Sequence, residues 1–385
     1  MSNIYKGRGS DEDNKQLVEV LDNVFFRDEP DVRFMTLLPK LYKDKYRPAY
    51  NNFMIKEDGA IKASVGLFPM TLNVDGAILS VGGIGNVAVA RDSRSKGYMI
   101  ECMNMALDQM KSDGTDISVL GGQRQRYEHF GFEPAGVGLS VDVNKNTLKY
   151  IKGKDYVTSF KAEPITELTD ELRDKIRALY ERNGVYVERP DDDFEDILRS
   201  WNCTPYAIYD GGEFKGYFCR RAESTIQEIN CVNKEDMLDI CLAAMNAMGA
   251  DKINFDLPLY DSELCEHMAV NSDGMSLEHS ENASILNYGK VLQAYLSLKA
   301  KRIKLGEGSL TLLVHGVKRD ENLTITVKDG SVKVEETENT PEIELEHLEA
   351  MRFFTGLSSK SREKLPAFAA GWFPIDFFLS SQDNV

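Results

Sequence analysis

Interleaved helices and strands predict a mixed α/β chain of the α+β class, divided into three successive segments. Three observations predict it. A strand, a turn, a helix and a second strand follow one another between residues 77 and 120, the order of a βαβ unit. The same order recurs between residues 206 and 257. Residues 286–385 then change character, to a helix, a run of short strands and a closing helix.

In the first segment, Asn14–Asp22 is predicted helical, with Leu17, Val20 and Leu21 on one face. Ala60–Pro69 and Met70–Val74 read as two strands separated by turn residues. Ala77–Val89, rich in β-branched residues and glycine, reads as a third. Tyr98–Lys111 is the clearest helix, because Met99, Met103, Ala106 and Met110 recur at helical spacing. Gly114 is placed to cap it, and Ile117–Leu120 follows as a short buried strand.

A charged linker, Lys152–Asp155, separates the second segment. There Ile165–Arg182 is predicted helical, with Leu168, Leu172, Ile176 and Leu179 as its apolar stripe. Tyr206–Arg220 alternates like a hairpin around Asp210-Gly211-Gly212. Lys234–Met248 reads as a helix and Lys252–Leu257 as a strand. In the third segment, Leu292–Leu298 is helical. Ser309–His315, Asn322–Lys328, Ser331–Val334 and Glu342–Leu345 are strands, with Asp329-Gly330 as a hairpin turn. Leu348–Thr355 returns to helix. Aromatic residues crowd the tail at Trp372, Phe373, Phe377 and Phe378, so the tail is expected to dock rather than fray.

Of the 385 residues, 42% are hydrophobic and 28% charged, the balance of a globular protein. A length of 385 suits two or three domains. No apolar run is long enough to span a membrane, and Met1–Asp13 lacks the apolar core of a secretory signal. The 46 basic and 62 acidic residues leave a net charge of −16, which argues against a nucleic-acid binder held by bulk charge. An acidic surface suits a basic substrate, and it also serves solubility alone. The six cysteines and five histidines form no ligand-spaced cluster. The expectation is therefore a cytoplasmic, metal-free protein with reduced thiols.

The most informative stretch runs from Val87-Ala88-Val89 through Arg94-Ser95-Lys96-Gly97 to Tyr98-Met99-Ile100. A strand ends, a basic turn follows, and a helix begins. Amides at a helix N-terminus lack intrahelical partners and carry positive dipole charge, which suits a pyrophosphate. Gly97 would let the backbone approach such a guest, and Arg94 and Lys96 add charge. The same letters also describe a solvated basic loop. A second stretch, Gly122-Gln123 followed by Tyr127-Glu128-His129-Phe130-Gly131-Phe132, places a tyrosine on a short helix after the next strand. By itself it reads more commonly as a packing tyrosine.

Together, Arg94-x-x-Gly97-x-Met99 and Tyr127-x-x-Phe130-Gly131-Phe132-x-Pro134 resemble the GNAT superfamily of N-acetyltransferases, and within it the Eis (enhanced intracellular survival) branch. Met99 departs from the usual glycine or alanine. The resemblance implies tandem GNAT-fold domains at 1–150 and 151–285, the second degenerate, and a sterol-carrier-protein-like α/β domain at 286–385. It implies acetyl-CoA as cosubstrate, with no metal. Val87, Ala88 and Val89 would pair with the pantetheine arm. Arg94, Ser95, Lys96, Gly97, Tyr98, Met99 and Ile100 would wrap the pyrophosphate, and Gly122 and Gln123 would complete the groove.

Tyr127 stands at the general-acid position, and the carboxylate of Val385 at that of the general base. The acceptor is expected to be the amine of an aminoglycoside, a polyamine or a lysine, drawn in by acidic stretches such as Asp28-Glu29-Pro30-Asp31 and by Asp383. A homo-oligomer, a hexamer in this branch, is implied as well. The alternative is a non-catalytic acyl-CoA or lipid-binding protein that uses the third segment.

Overall fold

A computed structural model describes residues 3–29 and 31–385. Met1, Ser2 and Pro30, the last of these part of the acidic stretch named above, lie outside the described residues. The chain begins with β1 (Ile4–Arg8), α1 (Asn14–Phe25), the single turns α2 (Phe34–Leu37) and α3 (Pro39–Tyr42), and β2 (Asn52–Glu57). The long hairpin of β3 (Ala60–Val74) and β4 (Ala77–Val89) follows, then α4 (Tyr98–Asp113), β5 (Ile117–Leu120), α5 (Arg124–Tyr127) and β6 (Glu133–Ala135).

The middle of the chain runs through β7 (Gly138–Asn144), α6 (Lys145–Lys152), β8 (Lys161–Pro164), α7 (Asp170–Glu181), β9 (Val185–Val187), α8 (Asp191–Arg199), β10 (Thr204–Asp210), β11 (Glu213–Arg220), β12 (Ile226–Cys231), α9 (Met237–Met248), β13 (Lys252–Pro258), α10 (Ser262–Ala269) and β14 (Gly274–Glu278). It closes with β15 (Glu281–Ile285), α11 (Tyr288–Arg302), β16 (Gly308–His315), β17 (Asp320–Lys328), β18 (Ser331–Glu336), β19 (Ile343–Glu346) and α12 (His347–Thr355). The class is α+β, with several separate sheets.

Two expectations are corrected. Residues 60–74 form one strand, not two: Pro69 sits opposite Gly82 inside a continuous ladder with β4. An antiparallel ladder asks for an N–H only at alternate residues, so a proline need not end it. The helix expected from Ile165 starts instead at Asp170. There the Thr169 hydroxyl accepts from the Leu172 amide, a side-chain cap that outranks the apolar spacing of Ile165 and Leu168.

Contacts gather the residues into two compact units. One holds Met1–Ala135, Glu281–Ile375 and Asn384–Val385, and the other holds Gly136–Ser280 and Asp376–Asp383. The sequence segments divide at 150 and 285, and the units' edges lie at 135/136, 280/281, 375/376 and 383/384. Strand pairing decides them. In the first unit β15 lies between β5 and β6, so the order runs β1-β2-β3-β4-β5-β15-β6. In the second, β7 lies between β13 and β14.

The first unit also contains the sheet β18-β17-β16-β19, in which β16 and β19 run parallel, with α11 against it. Its interior is filled by Phe353, Phe354, Trp372 and Phe373, which meet one another at 5.1–6.5 Å between ring centroids. Burial of such rings is worth roughly 1.5–3 kcal/mol each, and it ties down the aromatic tail as expected.

Candidate active site

The site grows out of a fork in the first unit. β4 and β5 run parallel from Val81 opposite Ile117 to Ile84 opposite Leu120, where the pairing ends. β5 turns away at Gly121-Gly122, while β4 continues to Val89. Along that continuation β4 is held on its other side by β3, through a bulge at Asn86, whose φ is +41°. Ala88 is buried opposite Ser64, and Val87 and Val89 pack partly against the core beneath α4. A strand edge left open this way presents backbone donors and acceptors to an extended ligand.

Past Val89 the chain makes the basic turn. Ser95 and Gly97 take the left-handed conformation, at φ +64° and +81°, and α4 starts at Tyr98. Among the described residues, no amide from Arg94 to Ile100 finds a protein acceptor, and Gly97 faces open space. The turn therefore has the donor set and the dipole end that an anion needs. Met99 packs against the core, so its side chain leaves the turn's backbone uncovered, whereas Ile100 is exposed.

Lys96 differs from expectation. Its ammonium is paired with Glu57 at 2.9 Å, and Glu57 also accepts from the Tyr98 hydroxyl. Those bonds, the tyrosine's first, hold the Glu57 carboxyl below its usual range. Arg94 has no ion-pair partner among the described residues, so it is the cation of this turn that remains to meet a ligand.

Tyr127 ends α5, 8% exposed, on the other arm of the fork. Gly122 has φ +141°, and a Cβ there would lie 2.8 Å from the tyrosine ring, so only glycine lets the ring lie against the strand end. The Gly122 carbonyl accepts from Asn282 at 2.9 Å, while Gln123 is exposed and opens α5. α5 is fixed from below. Arg124 holds Glu133 through two bonds of 3.0 and 2.9 Å and Glu128 at 2.6 Å, and Arg352 adds a third bond to Glu133. Burial pushes the Tyr127 phenol above its ordinary value, with Arg126 opposing weakly.

The chain end lies against β4. A Cβ at Gly83 would lie 2.6 Å from Val385 Cγ2, and one at Gly85 would lie 3.3 Å from the Val385 carboxyl carbon. The two glycines of β4 make room for the C-terminal residue. Beside it, the Asn384 amide donates to Glu281, and Asn384 Oδ1 is buried without a donor. Burial raises Glu281 to about 7, against the bonds from Asn384 and the Asn282 amide.

Sequence reasoning missed Glu281, Gly83 and Gly85. The run Gly82-Gly83-Ile84-Gly85 in a strand was the one available signal, since repeated strand glycines mark a close approach. Asp28, Glu29 and Asp31 are exposed, and Asp383 belongs to the second unit. Among the described residues, no group of three or more His, Cys, Asp or Glu side chains is placed to share a metal ion, and no helix is long and apolar enough to cross a membrane.

Residues 8–135 match the family described as Acetyltransferase (GNAT) domain. A search of curated proteins returns no significant match. Among solved structures, a GCN5-related N-acetyltransferase from Anabaena variabilis superimposes with a TM-score of 0.70 at 18% identity, covering 98% of each chain. A probable N-acyltransferase from Enterococcus faecalis gives 0.65 at 16% identity, over 92% of this chain and 90% of that one. Eis1 from Mycobacterium abscessus gives 0.64 at 14% identity, over the whole of both chains. The free amides of the Arg94–Ile100 turn lie inside the matched stretch, at its open strand edge. The chain is thus an acyltransferase with a GNAT acetyltransferase domain at residues 8–135, on a full-length fold shared with Eis1 and GCN5-related acetyltransferases of its own size.

Proposed function

We propose that the protein transfers acetyl from acetyl-CoA to the primary amine of a cationic acceptor, an aminoglycoside, a polyamine or a lysine-like side chain. Tyr127 is the general acid and the Val385 carboxylate the general base. One observation carries the reading: the partnerless turn amides, the Tyr127 ring and the chain terminus all belong to the fork of β4 and β5.

Acetyl-CoA supplies the activated acyl group as a thioester. The turn from Arg94 to Ile100 binds its pyrophosphate, Val87–Val89 pairs with its pantetheine arm, and Gly122 and Gln123 close the groove. The Val385 carboxylate binds the acceptor's ammonium and favours loss of its proton. Tyr127 donates to the departing sulfur. Burial holds its phenol above the ordinary phenol range, which already lies above that of a thiol, so its help is a hydrogen bond that strengthens as charge develops.

In the same reading, 1–150 is the catalytic domain, 151–285 a degenerate copy and 286–385 a sterol-carrier-like domain. The recurrence of strand, helix and strand in β12, α9 and β13 supports the copy. So do the left-handed glycine caps of α4 and α9, at Gly114 and Gly249, and the parallel bridge Thr225–Asn254. The β5-β15-β6 order of one unit is matched by β13-β7-β14 in the other. A hexamer and a cytoplasmic location belong to the same proposal.

The test is thiol release from acetyl-CoA with a panel of amines, for the full chain and for one lacking Asn384 and Val385. Transfer by the full chain and its loss in a folded truncation is the expected result. Full activity in the truncation removes Val385 from the mechanism, and CoA binding without turnover on any amine removes the reading itself.

A further inference from the structure

An α-carboxyl with a pKa near 3.5 is a poor store for a proton released by an ammonium near 10.4. The first unit contains a better one, and this inference rests on the acetyltransferase reading above. We propose that Glu281 is the proton store behind the general base, receiving the proton that the Val385 carboxylate draws from the docked acceptor ammonium.

The contacts of Glu281 tie it to the residue before the chain end, and its strand to the end of β5. Glu281 opens β15, and the next residue on that strand, Asn282, pairs with Leu120 at the end of β5 and donates to the Gly122 carbonyl beside Tyr127. Asn384, the neighbour of Val385, donates to the Glu281 carboxylate. The charges on the surrounding elements are few. β6 presents Ala135 opposite Glu281, and its Glu133 is neutralised by Arg124 and Arg352. β5 presents Leu120, α5 ends in Tyr127, and the chain end contributes the Val385 carboxylate. No cation is bonded to Glu281 among the described residues. Asn384 Oδ1 is a buried acceptor with no donor. Terminal carboxylate, Glu281 and Asn384 Oδ1 make a corner rich in acceptors, and a primary ammonium brings three donors and no acceptor.

Proton balance closes. The ammonium gives one proton through the Val385 carboxylate to Glu281, which later returns it to solvent. The neutral amine forms the N–C bond, and the C–S bond breaks with its electron pair leaving on sulfur. Tyr127 protonates that sulfur and recovers a proton from the nitrogen. The net products are amide, thiol and one released proton. Burial brings Glu281 to about 7, where it can both take a proton and give it back near neutrality.

The experiment measures kcat/KM against pH for a polyamine acceptor, in the full-length protein and in Glu281→Gln and Asn384→Ala. Activity of the wild type should rise through about pH 7 as Glu281 ionises. Glu281→Gln should lose that limb and about tenfold or more of its rate at pH 8. Asn384→Ala should keep the limb and move it upward, because a bond that favours the ionised form is gone. An independent readout, isotope-edited infrared, should show a protonated glutamate band in the wild type that disappears with a midpoint near 7 and is absent from Glu281→Gln.

An unchanged pH limb in folded Glu281→Gln, or a band titrating near 4.5, overturns the role of Glu281 and leaves the acetyltransferase reading standing. A wild type that binds CoA yet acetylates no amine brings down both.

Discussion

The last six residues meet two opposite electrostatic surroundings. In the second unit, Asp383 is bound by Arg189 at 2.8 and 2.9 Å, and the same guanidinium grips Glu228 at 3.0 and 2.6 Å. Tyr180 donates to Asp383, Tyr217 and Ser380 donate to Glu228, and the Tyr180 ring lies 3.6 Å from the guanidinium. Burial works against the charge on Glu228, but Arg189 and these donors hold its carboxyl below the usual range. In the first unit, Glu281 has an amide for company and, among the described residues, no bonded cation, and burial raises it. A saturated carboxylate is fixed in its charge. An undersaturated one still has bonding capacity for a ligand and can change its charge near neutral pH. On the proposed reading, the first cluster is structure and the second is chemistry.

That contrast breaks most easily at Arg189. Arg189→Met strands Glu228 and Asp383 in the interior, and breaking such a pair costs ~3–5 kcal/mol. Chemical denaturation should register a loss of that size. A loss under about 1 kcal/mol would mean that water replaces the guanidinium and that the cluster is no anchor.

At the other cluster, substitutions should cost activity instead. Tyr127→Phe keeps the buried ring and loses only the hydroxyl, for which the described residues offer no partner. Turnover should fall about a hundredfold, ~2.7 kcal/mol, with CoA affinity unchanged by calorimetry. A fall within about threefold, ~0.65 kcal/mol, denies it the acid's role.

Much of this was legible in local sequence. The turn from Arg94 to Gly97, the helix after it and Tyr127 on its short helix are encoded within 35 residues of one another, by glycine placement and apolar spacing. What was hidden is long-range. Asn384 reaches Glu281 across 103 positions, and Asp383 reaches Arg189 across 194. In the string Val187-Glu188-Arg189-Pro190 nothing separates a buried arginine from an exposed one. The short strands β6, β14 and β15 carry too few residues for a period to declare itself, yet their pairing helps set the edges of both units. Pro69 misled because a breaker signal ignores which side of a strand needs its donor.

Glu281→Gln gives the comparison its sign. The folded pKa of about 7 lies above the unfolded ~4.3, so the native state holds the extra proton between those values, and stability falls as pH rises through that window. The amide has no ionisation to suppress. Glu281→Gln should therefore exceed the wild type by ~1–3 kcal/mol at pH 8 and match it below about pH 4, in urea titrations at both pH values. A variant less stable than wild type at pH 8 would make Glu281 a structural carboxylate like Glu228.

The smallest effect should come from Gly85→Ala. The added methyl would stand 3.3 Å from the Val385 carboxyl carbon and 3.3 Å from Phe68 Cε2, so the chain end must yield by a few tenths of an ångström. Because β4 is extended there and the ring edge can shift, stability should change by under about 1 kcal/mol. If the carboxylate holds the amine as proposed, its displacement should lower the rate with a good acceptor a few-fold while KM for acetyl-CoA stays put. Gly97→Ala is the matched control, since nothing stands within 4 Å of its added methyl and its φ of +81° strains the pyrophosphate turn instead. It should raise KM for acetyl-CoA and leave the amine's dependence alone. Equal responses from the two variants would mean that the terminus and the turn do not serve separate substrates.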